Sequence, residues 1–176
     1  MNIFITGIAG FLGSNLADYY IKKGFTVSGC DNLVGGDLDN ISKEVIFHKA
    51  DCEDLNKMKE IIKGYDVVIH AAAYAHEGLS CVSPNIICSN IVSGSTSVFS
   101  AAVSNKVKRI VFCSSMARYG NIKQPFFESD KTRLVRISCF SANSFTLSST
   151  STTSSRTPSM VLNSCVTPSI SSPTTA

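Results

Sequence analysis

Three glycines spaced G-x-x-G-x-x-G, Gly7, Gly10 and Gly13, lie between the apolar run Ile3-Phe4-Ile5 and a segment of helical spacing. A strand that enters a helix through such a turn aims the helix's unpaired N–H groups and positive dipole end at the space above it, which is a place to hold a pyrophosphate. Gly7 would allow the tight turn, Gly10 would let the backbone approach phosphates, and Gly13 would let the helix pack close to the sheet. The next apolar run, residues 25–30, ends at Asp31, at the spacing expected of a carboxylate that accepts hydrogen bonds from a ribose. Asp31 would repel a 2′-phosphate and no arginine stands beside it, so NAD is favoured over NADP. Read without a ligand, the same residues make an ordinary strand-turn-helix, with Asp31 capping a strand end.

Other reactive residue types say less. Ser115 follows an apolar run and, taken alone, reads as a turn former. His70, His76 and Glu77 have no H-E-x-x-H spacing, so His70 is expected to be a satisfied strand-end histidine and His76 a surface one, with no metal. Seven cysteines, an odd number, form no C-x-x-C pair, and most lie in apolar stretches where a thiol acts as a small hydrophobe. A reducing cytoplasm is the expected compartment. The net charge of +3 comes from scattered lysines with no basic stripe, which argues against DNA or RNA as partner. The start of the chain carries no basic leader, and no apolar run is expected to approach the roughly 18 residues of a membrane span.

The elements that would position these residues alternate. Leu12, Leu16, Tyr19 and Tyr20 are expected on the inner face of the first helix. Residues 45–48 form a third apolar run, followed by a helix over 54–63 that presents Leu55, Met58, Ile61 and Ile62. A fourth strand, 66–70, leads to Ala71, Ala72 and Ala73. A long helix after Pro84, carrying Asn90, Val92, Val98, Phe99, Ala102 and Val103, leads to a fifth strand at 109–113. Continuous β-branched strands linked by amphipathic helices indicate an α/β fold, a doubly wound parallel sheet with its ligand at the carboxyl ends of the strands.

From about Leu134 the composition changes. About half of the remaining residues are Ser or Thr, the only charges are Arg136 and Arg156, and no apolar period persists. The reading is a nucleotide-binding domain over 1–133 and an irregular Ser/Thr-rich tail over 134–176, with a reading-frame disruption near Arg133 that leaves the fold truncated.

Taken together, the motifs resemble the extended short-chain dehydrogenase/reductases, specifically the NAD-dependent sugar-nucleotide epimerase/dehydratase family with its Rossmann-type domain. They are ITGIAGFLG, the pair Asp31-Asn32, Asp51, HAAA over 70–73, Asn90, and CSSMARYG over 113–120. The resemblance implies that Phe11 and Leu12 line the pyrophosphate turn, that Asp31 and Asn32 hold the adenosine ribose, and that Asp51 and Cys52 border the adenine. It places Ala71, Ala72 and Ala73 beneath the cofactor and gives Asn90 a hydrogen-bonding role beside it. On the residues alone, Asp51 could cap the following helix, the alanines could be small for packing, and Asn90 could be an ordinary helix residue.

By the same resemblance, Ser115 is the catalytic hydroxyl that holds a sugar hydroxyl as its proton leaves. The implied reaction is UDP-glucose 4-epimerase-like: transient oxidation at C4 of a UDP-hexose and re-reduction on the opposite face, in polysaccharide synthesis. The family's tyrosine, with a lysine four residues on, normally follows the serine. Here the last tyrosine is Tyr119 and the last lysine is Lys131, and the window holds Arg136, Ile137, Ser138, Cys139, Phe140 and Ala142. The chain is therefore expected to be catalytically impaired. Ala75 stands where relatives often carry a lysine. Met116 and Ala117 occupy the places of the Asp-Glu pair of 4,6-dehydratases, which favours epimerisation. The alternative from another class is a non-catalytic NAD-binding module. Relatives often form homodimers through helices on one side of the sheet, for which the helix after Pro84 is a candidate.

Overall fold

The computed structural model describes residues 1–76, 78–115, 119, 125–127 and 129–130. The expected boundary at 133 and the segment 134–176 lie outside the described residues, as do Glu77 and Met116, Ala117 and Arg118. Two compact units are present, one of Met1–Ala75 with Asn85–Cys113, the other holding the described residues of His76–Pro84 and those from Ser114 onward.

The first unit is a five-stranded sheet made of β1 (Asn2–Thr6), β2 (Thr26–Asp31), β3 (Ile46–Lys49), β4 (Val67–His70) and β5 (Arg109–Phe112). All pairings are parallel and the order is β3-β2-β1-β4-β5. The order reverses at β1, between β2 and β4, and that switch point is where an open α/β sheet presents its ligand crevice. The strands lie within a residue or so of the expected runs. Central β1 is apolar on both faces, so Ile3 and Ile5 join a core with Ile8, Ala17, Val27 and Ile69 on one side, while Phe4 joins Met58, Ile62, Val68, Val98 and Ala102 on the other.

Helix α1 (Phe11–Lys22) turns a different face inward than its large apolar residues suggest. Gly13, Ser14 and Ala17 are buried, Leu16 and Tyr20 are partly buried, and Leu12 and Tyr19 are exposed. The missing side chain at Gly13 brings the helix so close that the small residues make the contact, which rotates Leu12 and Tyr19 away.

Helix α2 (Leu55–Ile61) buries Met58 and Ile61. Its cap is Asp54, whose carboxylate accepts from the Lys57 N–H at 2.9 Å; Asp51 instead accepts from the Glu53 N–H at 3.0 Å in the preceding turn. After α3 (Leu79–Val82), which belongs to the second unit, come α4 (Pro84–Cys88), a π-helical turn at Ser89–Ser93, and α5 (Gly94–Ser104).

The helical run Pro84–Ser104 has 21 residues and contains an 18-residue stretch of mean hydropathy 1.5, which is long and apolar enough for a membrane span. The expectation that no run approaches that length is thus corrected. The run carries no charge because its polar residues are Ser, Asn and Thr. Its buried residues Val98, Phe99, Ala101 and Ala102 pack into the core, as a core helix does. Of the five described cysteines only Cys30 is buried, so the expected packing role holds for that thiol, while Cys81, Cys88 and Cys113 are exposed.

Candidate cofactor site

The glycine turn is held from beneath by β2. The Gly7 and Ile8 N–H groups both donate to the Cys30 carbonyl, at 2.8 and 3.2 Å, and the Gly10 N–H donates to the Gly7 carbonyl at 3.1 Å. Gly7 has φ 70°, and a Cβ there would lie 2.7 Å from Ala72 Cα. The same atom at Gly13 would lie 2.1 Å from the Gly7 carbonyl oxygen and 2.7 Å from Ile8 Cα. Gly10 is different. A Cβ there would meet only the Gly7 oxygen, at 3.3 Å, so its other side is open. It is the N-cap of α1 and supplies no side-chain cap, so no cap side chain occupies the first-turn N–H groups, which a helix leaves available as anion donors.

Asp31, 8% exposed, closes the β2 side. Its Oδ2 accepts from the Ala9 N–H at 3.0 Å and its Oδ1 from the Leu33 N–H at 2.8 Å. A carboxylate has about four lone-pair positions, so both oxygens keep capacity for ribose hydroxyls. Leu33 takes φ 65°, the left-handed region, which turns the loop sharply around that carboxylate.

Asn32 Nδ2 donates to Asp51 Oδ2 at 3.0 Å, while its Oδ1 accepts from the Val34 N–H at 3.1 Å, so the pair joins the loops after β2 and β3. Cys52 packs under that pair against the core that holds Cys30. Contact with the Cys52 thiol, then burial, push the Cys30 thiol well above its usual pKa, so it stays protonated. These arrangements fit a dinucleotide: uncapped helix N–H groups for phosphates, a pre-oriented carboxylate for a ribose, and a polar rim at Asn32 and Asp51.

Ala71 and Ala72 run under Gly7, with the Ala71 N–H donating to the Thr6 carbonyl at 3.3 Å, while Ala73 is exposed. Phe11 and Leu12, at 87% and 47% exposure, stand at the start of α1. Asn90 lies in the π-helical turn and donates to the Ile86 carbonyl at 3.3 Å, a bond within its own helix rather than to the turn. π-turns recur at functional sites. Ser115 is exposed, lies in the second unit and follows Ser114, which has φ 54°.

Two residues of the site, Ala9 and Gly36, were not read from the sequence. Ala9 is a hub, with its carbonyl accepting from the Asp37 N–H at 3.1 Å and from Asn40 Nδ2 at 2.9 Å. Gly36 packs on it, since a Cβ there would lie 2.7 Å from Ala9 Cβ and 3.0 Å from Asp31 Oδ2. The Gly-Gly pair and the Asp37-to-Asn40 spacing were the available signal. Tyr19 and Lys23 have the Tyr-x-x-x-Lys spacing, with Lys23 Nζ 5.8 Å from the ring centre. They stand at the far end of α1 from the glycine turn.

A parallel sheet reversing at β1, with a glycine turn and a buried carboxylate at its carboxyl edge, defines a dinucleotide-binding domain of the doubly wound class. The chain belongs to the NAD dependent epimerase/dehydratase family, whose model matches residues 3–156. It is similar to UDP-glucose 4-epimerase of Streptomyces lividans, 33% identical over 73% of this chain and 40% of that protein. A second relative is UDP-N-acetyl-alpha-D-glucosaminuronate decarboxylase of Bacillus cytotoxicus, 30% identical over 72% of this chain and 40% of that protein. Among solved structures, UDP-glucose 4-epimerase of Thermus thermophilus in complex with NAD has a TM-score of 0.71 at 28% identity, over 76% of this chain and 44% of that one. The chain thus spans from about a fifth to two-fifths of the length of the curated relatives it matches.

Proposed function

We propose that this chain is the NAD-binding half of a nucleotide-sugar epimerase of the UDP-glucose 4-epimerase type. The observation that carries the reading is the Asp31 carboxylate, held by the Ala9 and Leu33 N–H groups beside an uncapped helix start. When bound, NAD supplies a hydride acceptor that can return the hydride to either face of a sugar. The residues of this chain bind and orient. The first turn of α1 would take the pyrophosphate, Asp31 and Asn32 the adenosine ribose, Asp51 and Cys52 the adenine edge, and Ala71, Ala72, Ala73 and Asn90 the floor and side. The Ser115 hydroxyl would hold the hexose hydroxyl that loses its proton.

A tyrosine with a lysine four residues on does not follow Ser115 in this sequence. A general base contributes about 10² to 10⁴-fold, so the chain is expected to bind NAD with little turnover. That missing pair also supports the second reading, a non-catalytic NAD-binding module. Met116 and Ala117 in place of an acidic pair count against a 4,6-dehydratase.

Titration calorimetry of the full chain with NAD and NADP, together with an assay for UDP-glucose and UDP-galactose interconversion, tests these readings. NAD binding well ahead of NADP, without interconversion, is expected; no NAD binding would overturn the cofactor reading, and interconversion would overturn the impairment. The Ser/Thr-rich segment 134–176 is read as a departure from family sequence near Arg133, although the family match itself crosses that point. Resequencing the coding DNA and translating all three frames tests it: a frame that supplies the Tyr and Lys pair followed by a substrate domain is the expected result.

A further inference from the structure

Beneath the glycine turn the chain leaves β4 and passes under Gly7, where Ala72 makes the closest approach. What holds Ala72 there is a side chain. Its N–H donates to Thr6 Oγ1 at 3.2 Å rather than to a strand carbonyl. That oxygen is fully buried and lies 2.7 Å from His70 Nδ1, and His70 Nε2 lies 2.9 Å from Ser95 Oγ on α5. The imidazole is stacked on Phe112 with ring centres 5.7 Å apart and meets Phe99 edge-on at 5.7 Å. Both ring nitrogens are thus taken by hydroxyls, and the ring is packed by one stacked and one T-shaped aromatic neighbour.

Burial holds the His70 pKa down, to about 4, so the ring is neutral near pH 7, with one nitrogen donating and the other accepting. Thr6 Oγ1 already receives the Ala72 N–H and needs an acceptor for its own proton. Thr6 lies in a strand, with no carbonyl of a preceding helical turn to take that proton; Ser95 lies in a helix, where such carbonyls are available. The proton balance therefore closes with the Thr6 hydroxyl donating to Nδ1 and Nε2–H donating to Ser95 Oγ.

We propose that His70 is a positioning residue: held as its Nε2–H tautomer between Ser95 and Thr6, it orients the Thr6 hydroxyl and through it fixes the backbone of Ala72 under the dinucleotide turn. Its bearing on cofactor affinity rests on the NAD-binding reading above, but the relay itself does not.

The test uses the full chain labelled with ¹⁵N, with the His70 signals assigned by their loss in His70→Gln. Long-range ¹H–¹⁵N correlation is expected to show the Nε2–H tautomer, unchanged between about pH 6 and 8. Thr6→Val is expected to move those shifts and to speed Ala72 amide exchange by roughly three- to tenfold, the worth of one net hydrogen bond, while Thr6→Ser keeps both as they were. An Nδ1–H tautomer in the unmodified chain, or equal Ala72 exchange in Thr6→Val and Thr6→Ser, would overturn the proposal.

NAD affinity is expected to fall by a similar factor in Thr6→Val relative to Thr6→Ser, and equal affinities would break the link to the site. If the unmodified chain binds no NAD, the cofactor reading fails instead, and tautomer and exchange still decide the relay.

Discussion

Gly13 is the residue with least room in the site. A Cβ there would meet the Gly7 oxygen and Ile8 Cα, both backbone atoms that cannot swing away. Gly13→Ala is therefore expected to destabilise the chain by about 3 kcal/mol or more, an overpacking cost at the upper end, whereas Gly35→Ala, with nothing within 4 Å, should stay within about 0.5 kcal/mol. Urea midpoints of the two variants check this, and equal midpoints would mean that α1 can lift off the sheet without cost. Asp31→Asn keeps the shape but removes the charge and one acceptor oxygen, so either the Ala9 or the Leu33 N–H loses its partner. NAD affinity is expected to fall by at least about tenfold, since hydrogen bonds to a charged group are worth about 1.5–3 kcal/mol. Calorimetry with NAD reads this, and unchanged affinity would remove the ribose role from Asp31.

At the scale of elements, β4 and α5 meet through His70, and that meeting makes stability depend on pH. Burial alone lowers the His70 pKa from 6.5 to about 4 in the fold, and its neighbours Thr6, Ser95, Phe99 and Phe112 carry no charge. Between those values the unfolded chain takes up a proton that the folded chain refuses. The contribution is therefore whole above pH 6.5 and is lost as pH falls toward 4, with about 2 kcal/mol gone at pH 5. His70→Gln should lack this part of the slope in urea unfolding at pH 7.5 and 5; an identical slope would assign the loss to carboxylates alone. That His70 would be a satisfied strand-end residue could be read from its place after an apolar run. Its partners could not, because Thr6 and Ser95 come from β1 and α5 and only the parallel pairing brings them to one point. The same holds across the site. Gly7, Gly13 and Asp31 were legible because each makes a local demand on the chain, a tight turn, a close helix or a charged strand end. Ala9 and Gly36 were not, since their roles exist only once the loop after β2 folds back over the turn. The Asp54 cap and the inward face of α1 were misjudged for a related reason. The cap lies three positions on from Asp51 and the inward face of α1 is turned by about one position, shifts that spacing alone does not resolve.

For the whole chain, cofactor and fold are linked. The turn, the β2 carboxylate and the floor at Ala72 come from β1, β2 and β4, so a ligand that spans them opposes separation of the central strands. A ligand that binds only the folded state adds RT ln(1 + [L]/Kd), about 2.7 kcal/mol at a hundred times Kd. In a domain of about 100 residues each kcal/mol raises the melting temperature by roughly 4–8 °C, so saturating NAD should raise it by roughly 10 °C or more. NADP at the same concentration should give a clearly smaller rise, because a 2′-phosphate would face the Asp31 carboxylate, which is already turned toward the site by Ala9 and Leu33. Differential scanning fluorimetry of the full chain with each nucleotide measures both. A rise with NAD alone would tie the fold's stability to the switch point of the sheet. Equal rises would mean that the Asp31 carboxylate does not face the 2′ position, and the preference for NAD would have to be sought elsewhere on the loop after β2.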